Sequence, residues 1–228
     1  MLSIFPFFKV HDFFKGINGL SLMFYPLIGF ILGSLLWATH FLLQDFLPSV
    51  HLGVIIFSLW VLITGALHID GLSDSIDGLF VPKEKALEVM KDAHVGGMGM
   101  TFTFVFLSLK LSSVIYFEAY YLLPVILMLS RFNAVLAIYF FPYISQGVGA
   151  LLKAEFTKVH LFVALLFTLL ISLSFDFIFV FIPAILTLLI CAKFFTSRLG
   201  GLSGDTYGFI IEVTELVLLN YIIILNFS

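Results

Sequence analysis

Charge is scarce in this sequence. Only 11% of its 228 residues are Asp, Glu, Lys or Arg, against about 25% in a soluble domain. Hydrophobic residues make up 61% and the mean hydropathy is +1.17. A water-soluble fold of this size has nowhere to hide so much apolar surface, which excludes that class. Cysteine is nearly missing as well. Cys191 stands alone, so no intrachain disulfide is possible, and its apolar surroundings predict an inert packing residue. Basic residues are not in excess; a net charge of -3 argues against a nucleic-acid partner. No low-complexity linker interrupts the chain. The one internal echo, "GLSD" at 71–74 and "GLSGD" at 201–205, is too short to mark a repeat, so residues 1–228 read as a single domain. The opening "MLSIFPFFKV" has no basic start and no small-residue cleavage site; it reads as a short interfacial piece rather than a signal peptide.

What the chain does contain is long apolar runs. A membrane-crossing helix needs about 20 mostly apolar residues. Seven segments meet that length, near 20–43, 50–68, 98–117, 121–141, 159–175, 177–195 and 207–227. The runs are continuous rather than alternating, which predicts helices and not strands. The fold class expected is an all-α, polytopic membrane bundle of about seven spans. "EAYY" after the third span and the polar break at Asp176 after the fifth read as hairpin turns.

The few charges sort by side. Lys9 and Lys15, then Lys83, Lys85 and Lys91, then Lys153 and Lys158, then Lys193 and Arg198 fall on alternate connections; Asp45, Glu118 and Asp176 fall on the others. The positive-inside rule places the basic side in the cytoplasm, in a cell (inner or plasma) membrane.

On that basic side sits "HIDGLSDSIDGL", 68–79. Read as helix, Asp70, Asp74 and Asp77 are spaced i, i+4, i+7 and share one stripe. Such a stripe repels itself, and desolvation beside lipid raises the cost. A hard divalent cation with oxygen ligands relieves it, either one ion or two held over a phosphate. The plainer reading is a solvated acidic helix end. Gly71 and Gly78 are expected to leave room for a ligand against the backbone.

Two further polar islands accompany it. "SRLGGLSGDTYG", 197–208, is a glycine-rich loop opening the last span; Gly204 and its neighbours suit a phosphate, while the plainer reading is a turn capped by Asp205 or Thr206. "KEKALEVMKDAHVGGMG", 83–99, carries Lys91, Asp92 and His94, close enough in sequence to act on one anion or ion. Inside the spans lie Glu212, Glu215, Lys110 and Arg131. Intramembrane charges are costly and are functional candidates by default. Arg131 suits a phosphate through bidentate contact; Lys110 suits an internal ion pair, which is also the plainer reading of the two glutamates. His11, His40, His51 and His160 are scattered and take no role.

"TGALHIDGLSDSIDGL", "ALEVMKDAHVGGMG" and "GGLSGDTYGFIIEVTE" occur in that order, with "FYPLIGFILG" and "LSRFNAVL" between and before them. Together they resemble the integral-membrane cobalamin synthases, the adenosylcobinamide-GDP ribazoletransferases. Two positions depart from that pattern: His94 stands where the family commonly has Arg, and Ala93 where it has Ser. The family's Arg-containing N-terminal motif is not recognisable. The resemblance implies a magnesium-dependent enzyme that joins adenosylcobinamide-GDP to α-ribazole or its 5′-phosphate, releasing GMP. It implies Mg²⁺ on Asp70, Asp74 and Asp77, completed by Asp205 and Glu212. Asp77, Asp74 or Asp92 takes the hydroxyl proton, and Arg131, Lys91, His94 and Gly204 meet the phosphates. Membrane lipid and a second copy of the chain are the other expected partners. Two alternatives are another membrane phosphotransferase acting on a nucleotide-diphosphate alcohol, and a cation transporter. An Arg shortly after the first Asp-Gly is missing for the former, and acids spread through several spans are missing for the latter.

Overall fold

A computed structural model describes residues 17–92, 94–145, 148–175 and 178–226. Lys9, His11, Lys15, Ala93 and Asp176, and with them the interfacial reading of the N-terminus and the second hairpin turn, lie outside the described residues. Among the described residues eleven α-helices follow one another: α1 (Ile17–Met23), α2 (Tyr25–Leu43), α3 (Ser49–Ile63), α4 (Leu67–Leu79), α5 (Lys83–Val89), α6 (Gly97–Ile115), α7 (Leu123–Phe140), α8 (Val148–Glu155), α9 (Lys158–Ser174), α10 (Phe181–Leu199) and α11 (Gly204–Asn226). Among the described residues the sole β pairing is one isolated bridge, Tyr143 to Leu202.

Among the described residues five helical segments are long and apolar enough to cross a membrane: 25–43, 97–115, 120–140, 178–199 and 204–226. Two more crossings arise only if bent pairs count, α3 with α4 and α8 with α9, which turn by 82° and 96° at their breaks. All seven expected runs are therefore helical, but the second and fifth are not straight rods of spanning length.

The centre is α7. Nearly every side chain from Leu123 to Ile138 is buried, as expected of a helix that is apolar all round. α2 lies close along it because Gly29 and Gly33 face its backbone, where any Cβ would overlap Leu127 and Leu123. Two apolar clusters stack end to end. One holds Leu36, Ile56, Trp60, Leu127 and Leu218; the other holds Tyr25, Phe132, Ile138, Phe195 and Ile211. Both α7 and α11 pass from one cluster to the other.

The second cluster abuts the face where α4 and α5, the starts of α6, α9 and α11, and the ends of α7 and α10 meet. Backbone contacts stitch that face. Leu202 N–H donates to Pro142 O at 2.8 Å and Ile144 N–H to Leu202 O at 2.9 Å. Arg198 donates to Val81 O at 2.7 Å. Lys153 donates to the carbonyls of Ile138 (2.8 Å) and Phe141 (2.6 Å), closing the end of α7 with a cation, as a helix C-terminus favours. The opposite end carries Asp45 and Glu118, exposed. Cys191 is buried and free.

Candidate functional site

The chain leaves α3 through a break that no run of apolar residues announces. Gly65 (φ 60°) and Ala66 (φ 54°) both take the left-handed conformation, and the Thr64 hydroxyl folds back onto Trp60 O at 3.0 Å. A left-handed glycine is cheap; a left-handed alanine is not. The turn swings α4 across the bundle instead of continuing α3. α4 then buries Leu72 and Ile76 and leaves Asp70 exposed and Asp74 half-buried, while Asp77 is buried.

The α4 glycines do not hold space for a ligand, contrary to expectation. A Cβ on Gly71 would lie 2.8 Å from the Asp205 carbonyl oxygen, and one on Gly78 would lie 2.6 Å from Met90 Cγ. From α11, a Cβ on Gly208 would meet His68 O at 3.0 Å and Gly71 Cα at 3.4 Å. Gly71 and Gly208 are therefore the contact that brings α4 against the start of α11.

Asp77 closes the start of α6. Gly96 N–H donates to its Oδ2 at 2.8 Å and Gly99 N–H donates to its Oδ1 at 2.7 Å. Gly96 is the N-cap and Gly99 the third residue of α6. These are the two donors a capping box satisfies, here served by a carboxylate from another helix. Negative charge at a helix N-terminus is favourable in its own right. A side chain at Gly96 or Gly99 would overlap the carboxylate, which explains the glycines at those two positions; Gly97 between them has open space.

The start of α11 is capped by Ser203, not by Asp205 or Thr206. Ser203 N–H donates to Thr206 Oγ1 at 2.8 Å, and Thr206 N–H donates to Ser203 Oγ at 3.3 Å. The Ser203 hydroxyl also donates to Asp205 Oδ2 at 3.3 Å. Gly204 is exposed, with open space where a Cβ would stand.

Four carboxylates converge here. Asp74 lies within electrostatic reach of Asp70, Asp205 and Asp77, and Asp205 within reach of Asp70 and Lys91. Lys91 is exposed at the rim. Beside it His94 Nδ1 and Asp92 Oδ1 pair at 2.7 Å, with side chains 94% and 58% exposed. The hydrogen bond from His94 holds Asp92 below the usual carboxylate range.

Two expected site residues lie elsewhere. Arg131 is fully buried; its Nη1 pairs with Glu215 Oε1 and donates to Ser130 Oγ at 2.8 Å. Glu212 is buried and accepts from Lys110 Nζ at 2.7 Å. Both are buried in the bundle interior and held in ion pairs. Sequence reasoning missed the cap roles of Asp77 and Ser203 and the buried contact of His68 Nε2 with Tyr25 Oη at 3.2 Å. "SGDT" before an apolar run was a readable signal for the Ser203 cap.

Among the described residues no three His, Cys, Asp or Glu side chains close into a metal cage. Asp70, Asp74 and Asp205 nonetheless form one cluster of like charges.

Comparison with known proteins shows which family the chain resembles. The family model described as cobalamin-5-phosphate synthase (CobS) matches residues 1–223. A protein of Thermosynechococcus vestitus named adenosylcobinamide-GDP ribazoletransferase is 37% identical, the match covering 85% of this chain and 82% of that one. Its namesake in Desulfitobacterium hafniense is 36% identical over 86% and 83%. One in Desulforamulus reducens is 33% identical over 94% and 89%. No solved structure matches.

Proposed function

The chain belongs to the family of cobalamin-5-phosphate synthases, and from that premise we propose how its acidic face performs the transfer. It is a transferase of cobalamin biosynthesis and a multi-pass membrane protein. Its substrates are adenosylcobinamide-GDP and α-ribazole or the 5′-phosphate of α-ribazole. The acceptor hydroxyl oxygen bonds to the phosphorus that carries the cobinamide. The bond from that phosphorus to the bridging oxygen breaks, and GMP leaves with the electron pair. The hydroxyl proton passes to a carboxylate.

The observation that carries this reading is the Gly71–Gly208 contact, which sets Asp205 on α11 beside Asp70 and Asp74 on α4. Phosphoryl transfer demands charge neutralisation and positioning above all. Asp70, Asp74 and Asp205 would hold magnesium, which supplies Lewis-acid neutralisation of the pyrophosphate. Asp74, half-buried and not engaged by backbone donors, accepts the proton. Asp77 serves by fixing the start of α6. Lys91 and the open N-terminus of α11 at Gly204 meet phosphate oxygens. The Asp92–His94 pair stands at the rim and meets the substrate from solvent. Arg131 and Glu212 have no direct part.

The basic connections share the face of the acidic site, which supports a cytoplasmic active face in the inner membrane. The cation-transporter alternative loses its motive, because the deep acids Glu212 and Glu215 are ion-paired with Lys110 and Arg131.

The test is product formation by the purified protein in detergent or lipid, with both substrates and with or without magnesium. Equimolar cobalamin and GMP, formed only with magnesium, is the expected result. Folded protein that yields no product with either acceptor form overturns the proposal.

A further inference from the structure

Midway down the bundle four charged side chains are sealed from solvent. Lys110 on α6 donates to Glu212 Oε2 at 2.7 Å and to Glu215 Oε2 at 2.5 Å, both on α11. Arg131 on α7 pairs with Glu215 Oε1, which also accepts from Ser130 at 3.2 Å. Lys110 Nζ lies 4.4 Å from the centre of the Trp60 ring on α3. The charged side chains are 0–3% exposed, and the four charges sum to zero. Replacing such a set by packed apolar residues often leaves a protein equally or more stable. Stability therefore gives no sufficient reason for it.

Its place gives one. On α7 the residues up to Leu129 belong to one apolar cluster and those from Phe132 to the other; on α11 the residues up to Ile211 and from Leu218 divide the same way. Ser130, Arg131, Glu212 and Glu215 sit at both handovers. Apolar helix faces slide past one another at small cost, whereas directional bonds among charges admit one register. Asp205 and Glu212 are seven residues apart on α11, two turns on one face and about 10 Å along the axis. Gly99 and Lys110 are eleven apart on α6, about 16 Å. The cluster thus ties together, below the site, the helix that carries Asp205 and the helix whose start Asp77 closes. A slip of one residue in α11 would shift Asp205 by about 1.5 Å and turn it by about 100°. A misplacement of about 1 Å can cost about 100-fold in rate.

We propose that Lys110, Glu212, Glu215 and Arg131 are positioning residues for the transfer site, holding α11 in register with α6 and α7 so that Asp205 faces Asp70 and Asp74. This rests on the transferase reading above.

The test uses the full chain with Lys110→Met and Glu212→Met combined. This removes one cation and one anion and leaves Arg131 on Glu215. Nitroxide labels at Met100→Cys and Gly204→Cys, with Cys191 left in the buried interior, report the distance between the starts of α6 and α11 by pulsed electron paramagnetic resonance. The expected result is a folded protein melting at or above the parent temperature, a shifted or broadened distance distribution, and in the unlabelled double variant a kcat about 100-fold lower with KM for the donor within about threefold. A cluster that merely stabilises the fold would leave kcat and the distances unchanged, and that result overturns the proposal, as does a shifted distance with full kcat. If the methionine pair does not fold, Lys110→Met with Glu212→Gln is read in the same way. Asp74→Asn is the control, expected to lose kcat with an unaltered distance distribution. Absence of product from the parent protein would refute the transferase reading, and the distance measurement, which needs neither substrate nor metal, would still decide whether the cluster sets the register.

Discussion

Asp77→Asn separates a capping carboxylate from a metal ligand. In the parent protein both oxygens accept backbone N–H groups at the start of α6, at 2.8 and 2.7 Å, and the residue is only 8% exposed. Asparagine keeps one acceptor and turns an NH₂ group toward the other N–H. One charge-assisted hydrogen bond is lost, about 1.5–3 kcal/mol, and a buried donor is left without an acceptor, about 1–3 kcal/mol. Loss of the negative charge at the helix N-terminus adds about 0.3–1 kcal/mol. Allowing for overlap between these effects, the variant should be destabilised by about 2–4 kcal/mol in the absence of any metal. The assay is thermal or denaturant unfolding in detergent with a chelator present, followed by hydrogen exchange at Gly96–Gly99. The expected result is a clear drop in melting temperature and faster exchange confined first to the start of α6. A metal-free Asp77→Asn protein that melts like the parent would refute the capping role, and would return Asp77 to the metal site.

Asp74→Asn should behave in the opposite way: turnover falls by at least about 100-fold, while metal-free melting is unchanged or higher because a like charge has been removed from the cluster. Glu215→Gln removes the carboxylate that Lys110, Arg131 and Ser130 share, and should cost about 3–5 kcal/mol in unfolding measurements. Asp92 is held below its ordinary value by His94. Its contact should therefore persist through the usual carboxylate range near pH 4 and be lost only as pH falls through the lower, folded value; carbon NMR of labelled aspartate should show that titration move up in His94→Ala.

Much of this fold was legible because lipid imposes a coarse grammar. Seven continuous apolar runs predicted seven helical segments, and each is helical. The bend after α3 was not legible, because Ala66 gives no sign of a left-handed backbone. The acidic stripe on α4 was read from spacing alone. Its inner structure was not, since the fate of Asp77 depends on N–H groups 19 and 22 residues further along. Arg131 shows the limit most clearly. A cation inside a span satisfies a phosphate reading and an ion-pair reading equally well, and the pairing of Arg131 with Glu215 comes from the packing of α7 against α11, which no spacing in the sequence announces. Glu212 followed the same course: the sequence supplied Lys110 as a partner, and the structure joins the two.

On the function proposed above, Asp70, Asp74 and Asp205 form an incomplete metal site which the donor's pyrophosphate completes. The most direct measurement is Mn²⁺ binding followed by electron paramagnetic resonance, with and without adenosylcobinamide-GDP. The account predicts weak binding to the protein alone, binding at least about tenfold tighter when the donor is present, and loss of that gain in Asp74→Asn. Tight binding without donor, or an undiminished gain in Asp74→Asn, would contradict it.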